Sequence, residues 1–254
     1  MADFRGRVQF DFADVSLMGD REDNQDRTAV AAGGSSALLV AMDGMGGHAH
    51  GARAAETGCR IMMEMFNSLP KPLFDPLGFL HLALGRAHAA IVTIGVKLPM
   101  DQRPRATCAV CLVQRSEAYW AHVGDSRVYH LRGGSVLART RDHSHVEALL
   151  RDGTIREEEI PGHPMRNYVE CCLGGEPVLP EMSISMRQSL AEGDVLLVCT
   201  DGIWANLKDT EIAGFWRPGN GGCRDSLAAL AERAVTASAP HSDNASAAGL
   251  CWRN

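Results

Sequence analysis

Ala37-Leu38-Leu39-Val40-Ala41-Met42-Asp43-Gly44-Met45-Gly46-Gly47-His48 is an unbroken apolar run that ends in an acid and a cluster of glycines. Strands covered on both faces carry continuous apolar sequence, so the run predicts a buried strand that delivers the Asp43 carboxylate to its end. Glycine directly after the acid lets the backbone turn sharply and come close to a ligand. Taken alone, Asp-Gly is an ordinary turn signal. The pattern recurs, however, in Asp194-Val195-Leu196-Leu197-Val198-Cys199-Thr200, which stops at Asp201-Gly202.

Outward from these two runs the chain reads as a mixture of strands and helices. Val8 to Leu17 has strand character and leads into a dense polar loop, Gly19 to Arg27. Asp20, Glu22, Asn24 and Asp26 alternate like a calcium loop, but Gln25 stands where an EF-hand needs glycine and Ala31 where it needs glutamate, so that motif is rejected. Ala52 to Leu69 has helical periodicity and is stopped by Pro70 and Pro72. Leu77, Leu80, Leu84, Ala87, Ile91 and Ile94 mark the core face of a second helix. Short strands follow from Thr107 to Ala138 and read as a meander of hairpins, with Gly124-Asp125-Ser126 at a tight bend. From Arg141 to Ile160 the chain is polar and helical, like a surface lid. His143, His145 and Glu147 are potential metal ligands there, against the simpler reading of a solvated face. Met182 to Met186 alternates like a half-exposed strand. Short helical pieces follow Asp201, Leu227 to Val235 is an amphipathic helix, and Ala247 to Trp252 is a closing strand preceded by Asp243-Asn244.

With 254 residues, 45% hydrophobic and 22% charged, and neither repeats nor long linkers, the chain suits a single domain with a substantial core. A net charge of −6 gives no basic face for nucleic acid. The N-terminus lacks an apolar leader and no run approaches the roughly 18 to 20 apolar residues of a spanning helix, so the expectation is a cytoplasmic protein, not membrane-attached. Reduced thiols follow from that compartment. Cys108 and Cys111 form a C-x-x-C on a predicted strand, where residues three apart face opposite sides, so core packing is expected instead of a metal site.

Asp26, Asp43, Asp125, Asp201 and Asp243 each fall where a strand meets a turn. Carboxylates gathered in one cleft repel, so such a site has raised pKa values or holds cations. Oxygen-only ligands favour hard ions such as Mg²⁺ or Mn²⁺, and two of them can clamp a phosphoryl oxygen, with Arg21 suited to the phosphate.

At this point the chain resembles the PPM or PP2C family of metal-dependent protein phosphatases, in its compact bacterial form. Arg21-x-x-Asn24-Gln25-Asp26 is similar to the family's R-x-x-N-(E/Q)-D, and Asp43-Gly44-Met45-Gly46-Gly47-His48 to its D-G-M-G-G-H. Gly124-Asp125-Ser126-Arg127 with Tyr129, Asp142-His143-Ser144, Thr200-Asp201-Gly202-Ile203-Trp204 and Asp243-Asn244 follow in family order. The resemblance implies an α+β fold, a four-layer α-β-β-α sandwich with two mainly antiparallel central sheets, in one domain spanning residues 1–254. Ser144 to Asn167 corresponds to the family's flap. It further implies that Asp43, with the Gly44 carbonyl, and Asp26, Asp201 and Asp243 hold two Mn²⁺ or Mg²⁺ ions, and that Asp125 with Asp201 holds a third, weaker one.

Arg21 would bind phosphate, with Asp43 and Asp201 central to catalysis. A hydroxide held between the ions would attack the phosphorus of phosphoserine or phosphothreonine directly, and the leaving alkoxide would be protonated by a water on the third ion or by His48. Met45 stands where some members carry histidine, and Gln25 replaces the more frequent Glu. The polar opening and short tail resemble phosphatases of type VI secretion clusters, which implies a cognate Ser/Thr kinase and a forkhead-associated scaffold as partners of a monomer. The rivals are a catalytically weak regulatory module that binds phosphoproteins, and a stress-response phosphatase on the same sandwich. The five retained acids argue against the first, the G-D-S-R and D-H-S motifs against the second.

Overall fold

The computed structural model describes residues 9–45, 48–217 and 219–253. Its strands are β1 (Gln9–Leu17), β2 (Asp26–Gly33), β3 (Ser36–Met45), β4 (Arg105–Ala106), β5 (Cys108–Gln114), β6 (Glu117–Val123), β7 (Arg127–Arg132), β8 (Ser135–Arg139), β9 (Leu173–Gly174), β10 (Ser183–Ile184), β11 (Gln188–Ser189), β12 (Asp194–Cys199) and β13 (Ala245–Arg253). The helices are α1 (His48–Ser68), α2 (Pro76–Gly95), α3 (His145–Arg151), α4 (Asp201–Trp204), α5 (Asp209–Gly214) and α6 (Cys223–Ser238). One antiparallel sheet runs β1-β13-β12-β7-β8. The other runs β10-β6-β5-β3-β4-β9, with β2 also on β3 and β11 on β6.

Strand β3 shows why its sequence is apolar without a break. Side chains alternate between the faces of a strand, and here each face meets a different layer. Leu38, Val40 and Met42 pack with Ala54, Met62 and Phe66 of α1 and Leu80, Leu84 and Ile91 of α2. Ala37, Leu39 and Ala41 turn to the opposite sheet, where Val128, Leu196, Val198, Ala248, Leu250 and Trp252 complete the inter-sheet core. Strand β12 repeats the division. Leu196 and Val198 face the partner sheet, while Val195, Leu197 and Cys199 face Ile203, Ile212, Leu227, Leu230 and Ala231 of α4 to α6. Three apolar layers thus separate four layers of secondary structure, α-β-β-α. Cys108 and Cys111 fall in different layers, as expected for residues three apart on a strand.

Two expectations are corrected. The segment Thr107 to Ala138 is not one meander: β5–β6 is a hairpin in one sheet and β7–β8 a hairpin in the other, and Gly124-Asp125-Ser126 carries the chain across between them. A hairpin and an inter-sheet corner use the same turn residues, so local sequence does not separate them. Helix α2 is, by length and composition, apolar enough to cross a bilayer. In the fold Phe79, Leu80, Ala83, Leu84, Ala87 and Ile91 are buried instead against α1 and the sheet. The reading of the N-terminal residues, and the Gly46-Gly47 part of the motif, lie outside the described residues.

The registers place several strand ends at one edge of the sandwich. Asp26 opens β2 directly across from Asp43 near the end of β3. In the other sheet Cys199 of β12 lies across from both Arg127 of β7 and Ala247 of β13, which sets the corner, the start of α4 and the start of β13 side by side.

Candidate metal centre

Five aspartates converge at that edge. Asp26 is 2% exposed and Asp125 8% exposed, while Asp43, Asp201 and Asp243 are partly buried. Burial raises the Asp43 carboxyl well above the ordinary carboxylate range, and the charges of Asp201, Asp26, Asp125 and Asp243 push it the same way. Asp125 is likewise raised by burial and then by Asp201. Burial lifts Asp26 to about 8 against the hydrogen bond from Thr200, and it lifts Asp201 to about 6 with help from Asp243. Carboxylates in this condition lack counter-charge, because removing charge from water and crowding like charges both favour the protonated form.

Short hydrogen bonds hold the frame. Gly44 N–H donates to Gln25 O at 3.2 Å and Thr107 N–H to Asp43 O at 2.9 Å, so the end of β3 is held from both sides. A Cβ on Gly44 would lie 2.1 Å from the Gly51 carbonyl oxygen, and one on Gly202 would lie 2.0 Å from that of Asn244. Both positions therefore require glycine. Thr200 Oγ1 donates to Asp26 Oδ2 at 2.7 Å. Asn244 Oδ1 accepts from Gln25 N–H at 2.9 Å, and its Nδ2 donates to the carbonyls of Met18 and Asp23. Asp20 accepts from Ser242 Oγ at 2.7 Å and from its N–H at 2.9 Å, pinning the loop that carries Arg21 to the segment that carries Asp243.

Arg21 Nη2 donates to Asp243 Oδ2 at 2.6 Å. That pairing raises the guanidinium pKa, while its side chain is 58% exposed at the cleft mouth. The cleft, about 590 Å³, is lined by Asp20, Arg21, Glu22, Asp23, Asp43, Met45 and Asp243 among others. Met45 is thus at the site, and its thioether has no proton to give. The His48 side chain lies outside the described residues.

A second cleft of about 620 Å³ is lined by Asp125 and Asp201 and runs between α4–α5 and the segment 144–167, which holds α3 and a short 3₁₀ helix, Glu157–Gly162. His143, His145 and Glu147 do not converge here. His143 accepts from Gly124 N–H at 3.3 Å and shares a hydrogen bond with Ser183, whereas His145 pairs with Glu170 and Glu147 with Arg141.

The donor set fits hard divalent cations: among the described residues the first cleft is lined by carboxylate and backbone oxygens, without thiol or imidazole, and with one arginine among several acids. Among the described residues no three His, Cys, Asp or Glu side chains gather tightly enough to enclose an ion by themselves. An ion here would take carboxylates in ones and twos and complete its shell with water or carbonyl oxygen, which is the habit of Mg²⁺. Sequence reasoning assigns no part in the site to Thr200, Asn244, Asp20 or Ser242, and meets Asp20 only in the rejected calcium loop. Thr200 and Asn244 stand in the quoted motifs around Asp201 and Asp243, but those motifs give them no role of their own.

The protein phosphatase 2C family model matches residues 16–241. The serine/threonine protein phosphatase PstP of Mycobacterium tuberculosis is 32% identical over 192 residues, covering 76% of this chain but 36% of that protein. The chain therefore spans about a third of that relative's length. A solved catalytic domain of PstP in complex with two manganese ions superposes with a TM-score of 0.80 at 27% identity, over 96% of this chain and 99% of that one. PppA, described as a key regulatory component of T6SS in Pseudomonas aeruginosa, gives the same TM-score of 0.80, with 27% identity over 96% of this chain and 99% of that one. A match that extends from the end of β1 past α6, on the architecture of solved phosphatase domains, makes this chain a member of the protein phosphatase 2C family.

Proposed function

We propose that the chain is a metal-dependent protein serine/threonine phosphatase that hydrolyses phosphoserine and phosphothreonine. The observation that carries this reading is the gathering of five aspartates, four of them raised by burial and like-charge crowding and the fifth, Asp243, paired with Arg21, at the end of a sandwich of this family. Asp43 with the Gly44 carbonyl, and Asp26, Asp201 and Asp243, would hold two Mn²⁺ or Mg²⁺ ions, and Asp125 with Asp201 a weaker third. Bound there, such ions supply a nucleophilic oxygen at neutral pH and neutralise charge on the phosphate. The chain's own residues do the rest. Thr200 fixes the Asp26 carboxylate through its Oδ2 oxygen, and Ser246 is a further hydrogen-bond partner of the same group. Arg21 turns its guanidinium fork to the incoming phosphate, a geometry that favours paired hydrogen bonds to two oxygens. The segment 144–167 serves as a flap bordering the path of the substrate chain, an assignment supported by the cleft it shares with Asp125 and Asp201.

The finer reading is a monomeric cytoplasmic enzyme of a type VI secretion cluster, opposing a cognate Ser/Thr kinase and acting on that kinase or on a forkhead-associated scaffold. The likeness to PppA supports it. The test is hydrolysis of a phosphothreonine peptide by purified protein with Mn²⁺, with Mg²⁺ and with chelator, beside Asp201→Ala. Metal-dependent turnover that is lost in the variant is expected. No turnover with either metal, while metal still raises the melting temperature, would overturn the enzyme reading in favour of a phosphoprotein-binding module.

A further inference from the structure

We infer that Trp204 is a positioning residue for a cation held between Asp125 and Asp201, acting through the hydrogen bond its indole donates to the Asp125 backbone. This rests on the metal-dependent reading above. Two carboxylates from different elements hold an ion well only if their separation is fixed to about half an ångström. Asp201 is anchored as the first residue of α4, which continues β12. Asp125 stands in the corner between the sheets, where His143 holds Gly124 and Thr107 holds Ser126, and its own carbonyl takes a separate bond.

Trp204 provides it. The indole Nε1–H donates to the Asp125 carbonyl at 3.1 Å. Trp204 lies three residues after Asp201 in the same helical turn, so both project from one face of α4. The indole therefore draws the corner toward the face that carries the Asp201 carboxyl, and Trp204, Asp125 and Asp201 line one cleft.

The ring is itself held. The Arg127 guanidinium lies 3.4 Å from the Trp204 ring centroid, a cation–π contact. Arg127 is in turn locked by a two-pronged pair with Asp142, Nε to Oδ1 at 2.8 Å and Nη2 to Oδ2 at 2.7 Å, and Nη1 donates to Tyr129 Oη at 3.1 Å. A buried ion pair adds little net stability, since desolvation cancels much of its attraction. What Arg127 and Asp142 add is orientation: they set the plane of the ring and so the direction of its N–H.

Manganese titration of the full chain by calorimetry tests this. Trp204→Phe keeps an aromatic ring beneath Arg127 and removes the N–H together with part of the indole's bulk. The affinity of the weakest-bound Mn²⁺ should fall roughly fivefold, about the worth of one neutral hydrogen bond, with the tighter sites unchanged. Arg127→Met should lower the same affinity at least as much, and Arg127→Lys should restore only part of it, because lysine lacks the planar fork. An unchanged weakest site in Trp204→Phe, or an equal loss at every site, overturns the tether. Asp125→Asn tests the reading beneath it: loss of the weakest ion is expected, and full manganese stoichiometry in that variant would remove the Asp125–Asp201 site itself.

Discussion

Asp43 feels the charges of four other aspartates, and that crowding sets the consequences of changing it. Asp43→Ala relieves repulsion in the ion-free protein, so the variant should fold with an unchanged or higher melting temperature. Phosphopeptide turnover should fall by at least about a hundredfold, the usual scale for losing a group that positions charge at the reacting centre. The rise in melting temperature on adding Mn²⁺ should shrink with it; thermal scans with and without the ion, beside the kinetics, check both. Arg21 should behave differently. Its pair with Asp243 is largely exposed and contributes little to stability, so Arg21→Ala should leave the fold intact. KM for a phosphothreonine peptide should rise roughly tenfold, with less change in kcat, as expected for a lost charge-assisted hydrogen bond to phosphate. Both residues were legible in the sequence because an acid at the end of an apolar run and an arginine in a polar loop are local signals. Thr200 and Asn244 were visible only as motif members, not by their roles, which are bonds to Asp26 and to Gln25, 174 and 219 positions away.

At the scale of elements, β3 and its exit carry the site. Gly44→Ala would drive a methyl group into the Gly51 carbonyl, with backbone on both sides and no flexible end to yield. It should cost activity and stability together, whereas Gly85→Ala in α2, where an added Cβ meets nothing within 4 Å, should be neutral or stabilising by up to about 1 kcal/mol. Urea unfolding of the two variants separates them. Leu84 is fully buried in the layer between α2 and the sheet, and Leu84→Ala should destabilise by about 2 to 5 kcal/mol through lost burial and an unfilled cavity. The long elements were predictable because their periodicity is strong: α6 buries the face that its apolar spacing marks, and α2 buries Leu80, Leu84, Ala87 and Ile91 of its marked face, with Phe79 and Ala83 added and Leu77 left exposed. The β6–β7 junction was not, because the corner's turn residues do not say which sheet the next strand joins.

For the whole molecule, the aspartate centre opposes folding when no cation is present. The folded-state pKa values of Asp26, about 8, and Asp201, about 6, lie above that of a free carboxyl. Between about pH 4 and pH 8 these carboxyls bind more protons in the native state than in the unfolded chain, so their contribution to stability falls as pH rises through that window, while His88, His122 and His143, whose pKa values burial lowers from 6.5, work the other way in its lower part. In chelator the melting temperature should be higher at pH 5 than at pH 8, and saturating Mn²⁺ should reduce or reverse the difference; a melting temperature that climbs from pH 5 to pH 8 in chelator would contradict the raised values. By itself the sequence determined that two strands need cover on both faces and that acids stand where those strands end, both consequences of neighbours along the chain; the four-layer order and the roles of the acids were expected only through the resemblance to a family. Only the tertiary structure decided that the five acids share one edge, that the corner at Asp125 crosses between sheets, and that Trp204 and Arg127 brace it. Those follow from antiparallel registers and side-chain contacts between segments far apart in sequence, and a local pattern carries no information about them.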